Sequence, residues 1–497
     1  MLGIRIGAEV LAQTHWDLVV IGGGITGAGV LLEAMRQGGA GKKVLMLEQK
    51  DFAWGTSSRS SKMVHGGIRY MAQADFRLVR ESLHERERLL RELPELVQRQ
   101  PYLFVVRDGQ FPNRWAMEPI MWLYDKFAGI RDHRWLSHSK LRACVPELNP
   151  RQLKGAMYYT DALVDDARLV MRVLHEAALE GGQVCNYVRV NQVAPSMGGF
   201  DVTVWDEVSQ SQTVIQTTAV VNATGAQADD LSGAAKKVRP LRGSHLLIEH
   251  ARLPIQDSLT ILHPRDKRPV FVYPWMGMTC IGTTDLDHTD DLRQEARCTA
   301  QEVDYLLELM RLEFPEAQIG AQDIVSSFAG VRPIISSGKG VNPSKERRDH
   351  SVWTHQGVVS VSGGKLTTFR VIAHDVLQAL GWIDARTKHN LLNTSERLFR
   401  QPVHFPHALG DPKKAIVFNP ELLETIEWIL AHEMVVHLDD LLLRRLRFGN
   451  TQSDGGYKFL PQIKILCQNR LSWDDARWET EQKRYMDIVQ KYYASTK

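Results

Sequence analysis

An α/β fold is predicted, built on a nucleotide-type strand, turn and helix at the front of the chain and interrupted by a strand-rich insertion. Three observations predict it. The stretch "DLVVIGGGITGAGVLLEAMRQ" opens with an apolar run, Leu18 to Ile21, passes through Gly22, Gly24 and Gly27, and continues at helical spacing through Val30, Leu31 and Ala34. A second apolar run, "KVLMLE", follows and ends on Glu48. Residues 236 to about 325 read as strands in the manner of "HLLIEH" and "VFVYPW".

Size and charge bound the answer. A chain of 497 residues exceeds the roughly 250 to 300 that one core can serve, so two or three domains are expected. Lys+Arg 61 against Asp+Glu 58 leaves a net charge of +3, which argues against nucleic acid as a partner. The five cysteines are scattered without a CxxC pair and read as thiols in a reducing compartment. The uncharged stretch Leu18 to Leu32 carries five glycines and falls short of the roughly 20 apolar residues that span a bilayer. Residues 1 to 16 lack the apolar region and cleavage site of a signal peptide, so the chain is expected to stay where it is made.

In the first unit, Gly22 permits the turn, Gly24 lets backbone approach a pyrophosphate, and Gly27 lets helix and strand pack closely; Ile25 and Thr26 open the helix, whose N-terminus favours anions. Glu48 suits the hydroxyls of an adenosine ribose. An acid there disfavours a 2′-phosphate and leaves FAD or NAD. Next comes "GTSSRSSKMVHGGIRYM", in which Thr56, Ser57, Ser61 and Lys62 can donate to phosphates while Gly66 and Gly67 admit a flat ring. "VVNATGAQADD" supplies Ala223, Thr224 and Gly225, and "GVVSVSGGKLTTFR" supplies Gly364, Leu366 and Thr367; Val188 is taken with them. Three such turns converging on one ligand favour the more deeply buried FAD.

Other tracts read as structure or surface. "DFRLVRESLHERERLLRELPEL" is an amphipathic helix, with Phe76, Val79, Leu83 and Leu90 inward and a salt-bridged outer face. Residues 113 to 142 hold Trp115, Trp122, Trp135, Tyr124 and Phe127 among six Lys/Arg and three acidic residues, with Pro119 suited to a helix's first turn and Gly129 to its end. Such a segment can lie on an anionic bilayer surface. "RRLRF", 444 to 448, reads as a solvated helix face. In "HEMVVH" the histidines are five apart, roughly 140° around a helix, and "HFPH" has a proline inside it, so no metal is expected.

Taken together, "GGGITGAG", "GTSSRSSKMVHGGIRYM", "YTDALVDDARLV", "RPLRGSHLLI", "PWMGMTCIGTTD", "SSFAGVRPI" and "SVSGGKLTTFR" resemble the FAD-dependent glycerol-3-phosphate dehydrogenases, within the glycine oxidase and amino-acid oxidase fold group. The resemblance covers residues 17 to about 375. Thr26 stands where that family usually has Asn, and Ala226-Gln227 where it has Pro-Trp; neither change removes a charge or a backbone approach. After about residue 380 only "HEMVVHLDDLLLRRLRFG" looks familiar, and the helical region reads as shortened.

The resemblance implies a Rossmann-like FAD-binding domain in three parts, 14–110, 151–235 and 326–380. Around it stand the basic aromatic segment 111–150, an interleaved antiparallel substrate domain 236–325, and a helical domain 381–497. It implies oxidation of sn-glycerol 3-phosphate to dihydroxyacetone phosphate. Arg69, Arg332 and Lys365 are the cations for the phosphate; Pro333 restricts the backbone of Arg332 to extended conformations. His245 and His65 are the candidate bases, because imidazole titrates near pH 6.5, about neutrality. His245 is preferred for its place at the start of an alternating strand. No second glycine fingerprint serves a nicotinamide, so the resemblance points to membrane quinone as acceptor, an anionic membrane surface as partner, and a cytoplasmic location peripheral to the inner membrane. It allows a homodimer. Competing readings are an oxidase that uses oxygen on the same fold and an inactive FAD-binding regulator.

Overall fold

Apolar side chains on both faces of Trp16–Ile21 require that strand to be covered twice, and it lies in the middle of a sheet. The computed structural model describes residues 2–39, 41–72, 75–233, 236–336, 338, 346, 348–400 and 413–494. Trp16–Ile21 pairs in parallel with Val44–Leu47 and with Ser211–Asn222. The sheet continues to Gln183–Cys185 on one side and to Val358–Gly363 on the other, where antiparallel His350–His355 closes it. Leu18 and Val20 pack under the helices Ile25–Gln37, Asp166–Leu179 and Phe369–Ala379. Val19 and Ile21 pack against the antiparallel strands Val188–Ser196 and Gly199–Asp206.

A second sheet stands beside the first. Val238–Glu249 pairs antiparallel with Met278–Gly282 and Ile324–Ile335. Through Pro269–Trp275 and Ser258–Leu262 it reaches Val97–Arg107 and Leu153–Val164. Met63–Val64 and Arg134–Ser137 also pair with Leu153–Val164. The sheet therefore draws strands from segments expected in the FAD-binding parts 14–110 and 151–235 and in 111–150, and Ile324–Ile335 crosses the expected boundary at 326. Helix Ala300–Glu313 covers one face. The other carries Phe76–Glu92, Arg114–Ala128 and the C-terminal helices Pro420–His432, Leu460–Leu471 and Asp475–Ile488.

Two helices depart from expectation. Phe76–Glu92 is capped by Asp75 and buries Leu78, Val79, Leu83 and Leu89, but Phe76 is exposed. Its charges also point inward: Arg86 pairs with Asp161 at 2.6 Å and Glu85 with Arg370 at 2.5 Å. Arg114–Ala128 starts five residues before Pro119, because the Asn113 side chain accepts the Ala116 amide at 3.1 Å. Pro119 thus sits inside the helix, and Gly129, at φ +70°, ends it.

The larger correction concerns "RRLRF". Arg444, Arg445 and Arg447 are buried, not solvated. Arg444 meets Asp51 at 2.5 Å, Asp439 at 2.8 Å and Asp440 at 2.6 Å. Arg445 pairs with Asp51 at 2.7 Å and Glu433 at 3.1 Å, and Arg447 with Asp165 and Asp166, each at 2.5 Å. Half of these partners, Asp51, Asp165 and Asp166, lie in the nucleotide half of the chain, which local composition cannot reveal. Burial pushes the Asp51 carboxyl up, but Arg445 and Arg444 more than reverse it and hold it below the usual range. Its stabilisation is present above the ordinary carboxylate pKa and is lost as pH falls through the depressed value. Asp51→Ala should leave two buried guanidiniums without their shared carboxylate and cost about 3–5 kcal/mol in urea denaturation. A loss below about 1 kcal/mol, the worth of a surface pair, would contradict this.

Candidate active site

Between the first sheet and the second lies a cavity of ≈ 500 Å³. Gly22 turns the chain at φ +113°, where a Cβ would stand 2.5 Å from the Ala223 carbonyl oxygen, and a Cβ on Gly27 would stand 1.9 Å from that of Gly22. Both positions are closed to any other residue. The helix Ile25–Gln37 begins at Gly24 with no side-chain cap of its own; Ser57 Oγ, from the loop after the second strand, accepts the Ile25 amide at 3.0 Å. Glu48 accepts the amides of Gly23 at 2.6 Å and Lys50 at 2.8 Å, and burial pushes its pKa up. Thr56 Oγ1 donates to the Val331 carbonyl and ties this loop to the second sheet.

Of the residues expected to hold the cofactor, Gly22, Gly24, Ile25, Thr26, Glu48, Thr56, Ser57, Val188, Ala223, Thr224, Gly225, Gly364 and Leu366 line the cavity. Five lie off it. Ser61 Oγ bonds His245 Nε2 at 2.9 Å, and Lys62 is buried with its Nζ 2.9 Å from Asp166. The Gly66 amide donates to Tyr124 Oη at 3.0 Å, Gly67 is packed on Tyr70, and Thr367 is buried at the turn before Phe369–Ala379. Trp54, Arg59, Gln227 and the segment Leu292–Gln294 line the cavity without having been expected, since "DDLRQEAR" has neither periodicity nor turn chemistry to mark it.

Lys365 lines the same cavity. Its Nζ donates to Ser82 Oγ at 3.0 Å and the Gly66 carbonyl at 3.3 Å, and lies 3.9 Å over the Tyr70 ring. Burial pulls its pKa down to about 7, with Asp161, Asp75 and Asp349 opposing. Val331 and Pro333 line the cavity, while alternation turns Arg332 to the sheet face it shares with Phe328 and His245. Arg332 lies over Gly243, where a Cβ would be 2.2 Å from its Nη1. It donates to Asp285 at 2.8 Å, Thr283 Oγ1 at 2.7 Å and the Thr284 carbonyl at 3.0 Å. Arg348 bonds the same Asp285 carboxylate at 2.8 and 3.0 Å. Arg348 lies close enough to Arg332, Lys365 and His65 to perturb the charge of each, and Lys365 lies close enough to perturb His65. Arg348, in a charged "KERRDH" run, gave no sequence signal.

The two histidines differ. His245 is fully buried, stacks on Phe328 with ring centroids 4.6 Å apart, and is held well below its ordinary pKa by burial, then by Arg332 and Lys62. His65 is partly exposed, and burial and Lys365 push it down to about 4. The side chain of Arg69 and the "HFPH" run lie outside the described residues. Among the described residues no cluster of three or more His, Cys, Asp or Glu could hold a metal.

Concave shape, an acid at the end of the second strand and a helix start at Gly24, which offers no capping side chain of its own, fit a flavin dinucleotide. The chain belongs to the FAD dependent oxidoreductase family, whose model matches residues 17–378; within that class it is one of the FAD-dependent glycerol-3-phosphate dehydrogenases. The model for the C-terminal domain of alpha-glycerophosphate oxidase matches residues 409–478. An aerobic glycerol-3-phosphate dehydrogenase of Staphylococcus aureus is 33% identical over 378 residues, 74% of this chain and 67% of that protein. The glycerol-3-phosphate dehydrogenase of Bacillus halodurans complexed with FAD superposes with a TM-score of 0.74 at 23% identity, covering 97% of this chain and 96% of the other. The L-alpha-glycerophosphate oxidase of Mycoplasma pneumoniae with FAD bound gives 0.59 at 20% identity, covering 74% and 96%. The cofactor is FAD. Glu48→Ala should weaken FAD binding about ten- to a hundred-fold in a fluorescence titration, the worth of a hydrogen bond to a charged group; unchanged affinity would remove Glu48 from the cofactor site.

Proposed function

We propose that this chain oxidises sn-glycerol 3-phosphate to dihydroxyacetone phosphate and passes the electrons to quinone at an anionic membrane surface. The observation that carries the reading is the group of Arg332, Arg348 and Lys365 beside the flavin cavity. A phosphate monoester carries about −1.5 to −2 charges at neutral pH, and cations in a desolvated site suit it. FAD, when bound, supplies a two-electron acceptor for the hydride leaving substrate C2. Arg332, Arg348 and Lys365 hold the phosphate and so fix where C2 sits. We assign the base to His65. It is neutral above pH about 4, partly exposed and beside Lys365, whereas His245 is enclosed with Nε2 engaged by Ser61. His65 takes the C2 hydroxyl proton as the hydride departs, leaving the ketone. His245 then orients the sheet face through Ser61.

The electron exit is argued from a surface. On Arg114–Ala128, Trp115 and Trp122 are 77% and 59% exposed, and neighbouring Phe111 is 78% exposed. Arg114 lies over the Trp115 ring and Lys126 over that of Trp122. Exposed aromatics with cations beside them suit a bilayer interface. No helix among the described residues is long and apolar enough to cross a membrane. The proposed attachment is peripheral, on the cytoplasmic side of the inner membrane, and rests on this exposed aromatic and cationic face. The match of the C-terminal region to a glycerophosphate oxidase domain favours oxygen as the second reading; peroxide release during turnover distinguishes it.

Two outcomes are expected. Lys365 is charged below about pH 7 and loses its charge above, so KM for glycerol 3-phosphate should rise about tenfold between pH 7 and 9. Lys365→Arg should flatten that rise, and a KM independent of pH in the parent would count against the phosphate role. The Trp115→Ala/Trp122→Ala double variant should lose flotation with anionic vesicles while keeping turnover with a soluble dye acceptor; undiminished flotation would remove this helix from the membrane contact.

A further inference from the structure

One wall of the flavin cavity is made by two segments far apart in the chain, Trp54–Ser60 and Leu292–Ala296. The second has no helix or strand of its own, so side chains must hold it. Buried Glu295 pairs with Arg59 at 2.7 Å and accepts from Trp54 Nε1 at 3.2 Å. The Gln227 amide donates to the Leu292 carbonyl at 2.7 Å. Arg59 lies 5.3 Å over the Trp54 ring. It also meets the far end of the chain: its Nε and Nη2 donate to the Tyr493 hydroxyl at 3.2 and 3.1 Å. Tyr493 is itself buried, in the final helical turn Val489–Tyr493.

We infer that Glu295 is a positioning residue for the cofactor: it straps Leu292–Ala296 over the FAD cavity through Arg59 and Trp54, and the C-terminal Tyr493 backs the strap. An irregular segment regains conformational freedom on opening and stays closed only if its contacts outweigh that gain. Surface ion pairs rarely do. This one is out of water, shared between an indole N–H and a guanidinium, and stiffened from behind by a phenol. Trp54, Arg59, Leu292 and Gln294 touch the cavity directly, so loosening the strap opens the wall against which the dinucleotide rests. The C-terminal region thereby governs how long FAD remains bound. The inference depends on the cofactor and not on the substrate.

Glu295→Gln keeps the size and removes the charge; Tyr493→Phe removes only the hydroxyl. FAD release from each holoprotein is followed by recovery of free-flavin fluorescence on dilution, and each apoprotein is denatured in parallel. Release should be about tenfold faster in Glu295→Gln and about threefold faster in Tyr493→Phe, with apoprotein midpoints close to the parent's. Arg59→Lys, which keeps a cation for Glu295, should retain most of the parent's slow release. Parent-like release in both variants overturns the inference, and so does faster release matched by an equal loss of apoprotein stability, which marks a merely structural contact. Faster release in Glu295→Gln alone overturns the part given to the C-terminal tyrosine. No substrate enters the assay, so its failure is distinct from failure of the glycerol 3-phosphate reading.

Discussion

Three arginines close to one another in sequence, Arg444, Arg445 and Arg447, are buried against Asp51, Asp165 and Asp166, and the arrangement of the site depends on that contact. A buried charge is tolerable only when partnered, so the C-terminal helices cannot leave the nucleotide half without stranding carboxylates and guanidiniums together. Asp51 lies just after Glu48, and Asp166 accepts the Ser60 amide at 2.9 Å and Lys62 Nζ at 2.9 Å. Both ends of the loop between them are therefore fixed from the C-terminal region. That loop carries Trp54, Thr56, Ser57 and Arg59 to the cavity. The cavity wall and the tail are parts of one assembly.

The strand Ile324–Ile335 joins this assembly to the cations proposed to hold the phosphate. Val331 and Pro333 line the cavity while Arg332 turns to the face occupied by His245 and Phe328. Glycines at 243 and 282 on the facing strands leave room for the Arg332 guanidinium and the His245 ring. Placing cations out of water has a cost, visible in Lys365, which burial brings down to about 7, and in Arg332, brought down to about 10. Asp285, shared by Arg332 and Arg348, limits that cost. Such a site gains from an arriving dianion what it lost by desolvation, which is a physical basis for preferring a phosphorylated alcohol to a neutral one.

What could be read from the chain was what is local. Gly22, Gly27 and Glu48 act within one strand, turn and helix and the strand after it, so spacing exposed them and left FAD or NAD; the later turns and the resemblance favoured the flavin. The motif "GTSSRSSKMVHGGIRYM" pointed to the right neighbourhood but not to each partner: Ser57 reaches the cavity, whereas Lys62, read as a phosphate donor, is sealed against Asp166. Readings failed where the partner was distant. "RRLRF" resembles a solvated helix face until Asp51, some 390 residues earlier, is placed beside it. Arg348 and Glu295 sit in charged, irregular runs whose composition carries no sign of burial. Pro119 misplaced a helix start because the cap that decides it, Asn113, lies outside the apolar pattern.

We propose that a flavin held by glycine turns stands against cations that seat a small phosphorylated alcohol. The most direct test is anaerobic titration of the FAD-loaded protein with glycerol 3-phosphate, followed in the visible flavin bands. Glycerol 3-phosphate should bleach the flavin at concentrations at which free glycerol leaves the bands intact. Oxidised flavin that persists with both, or bleaches equally with both, would contradict it.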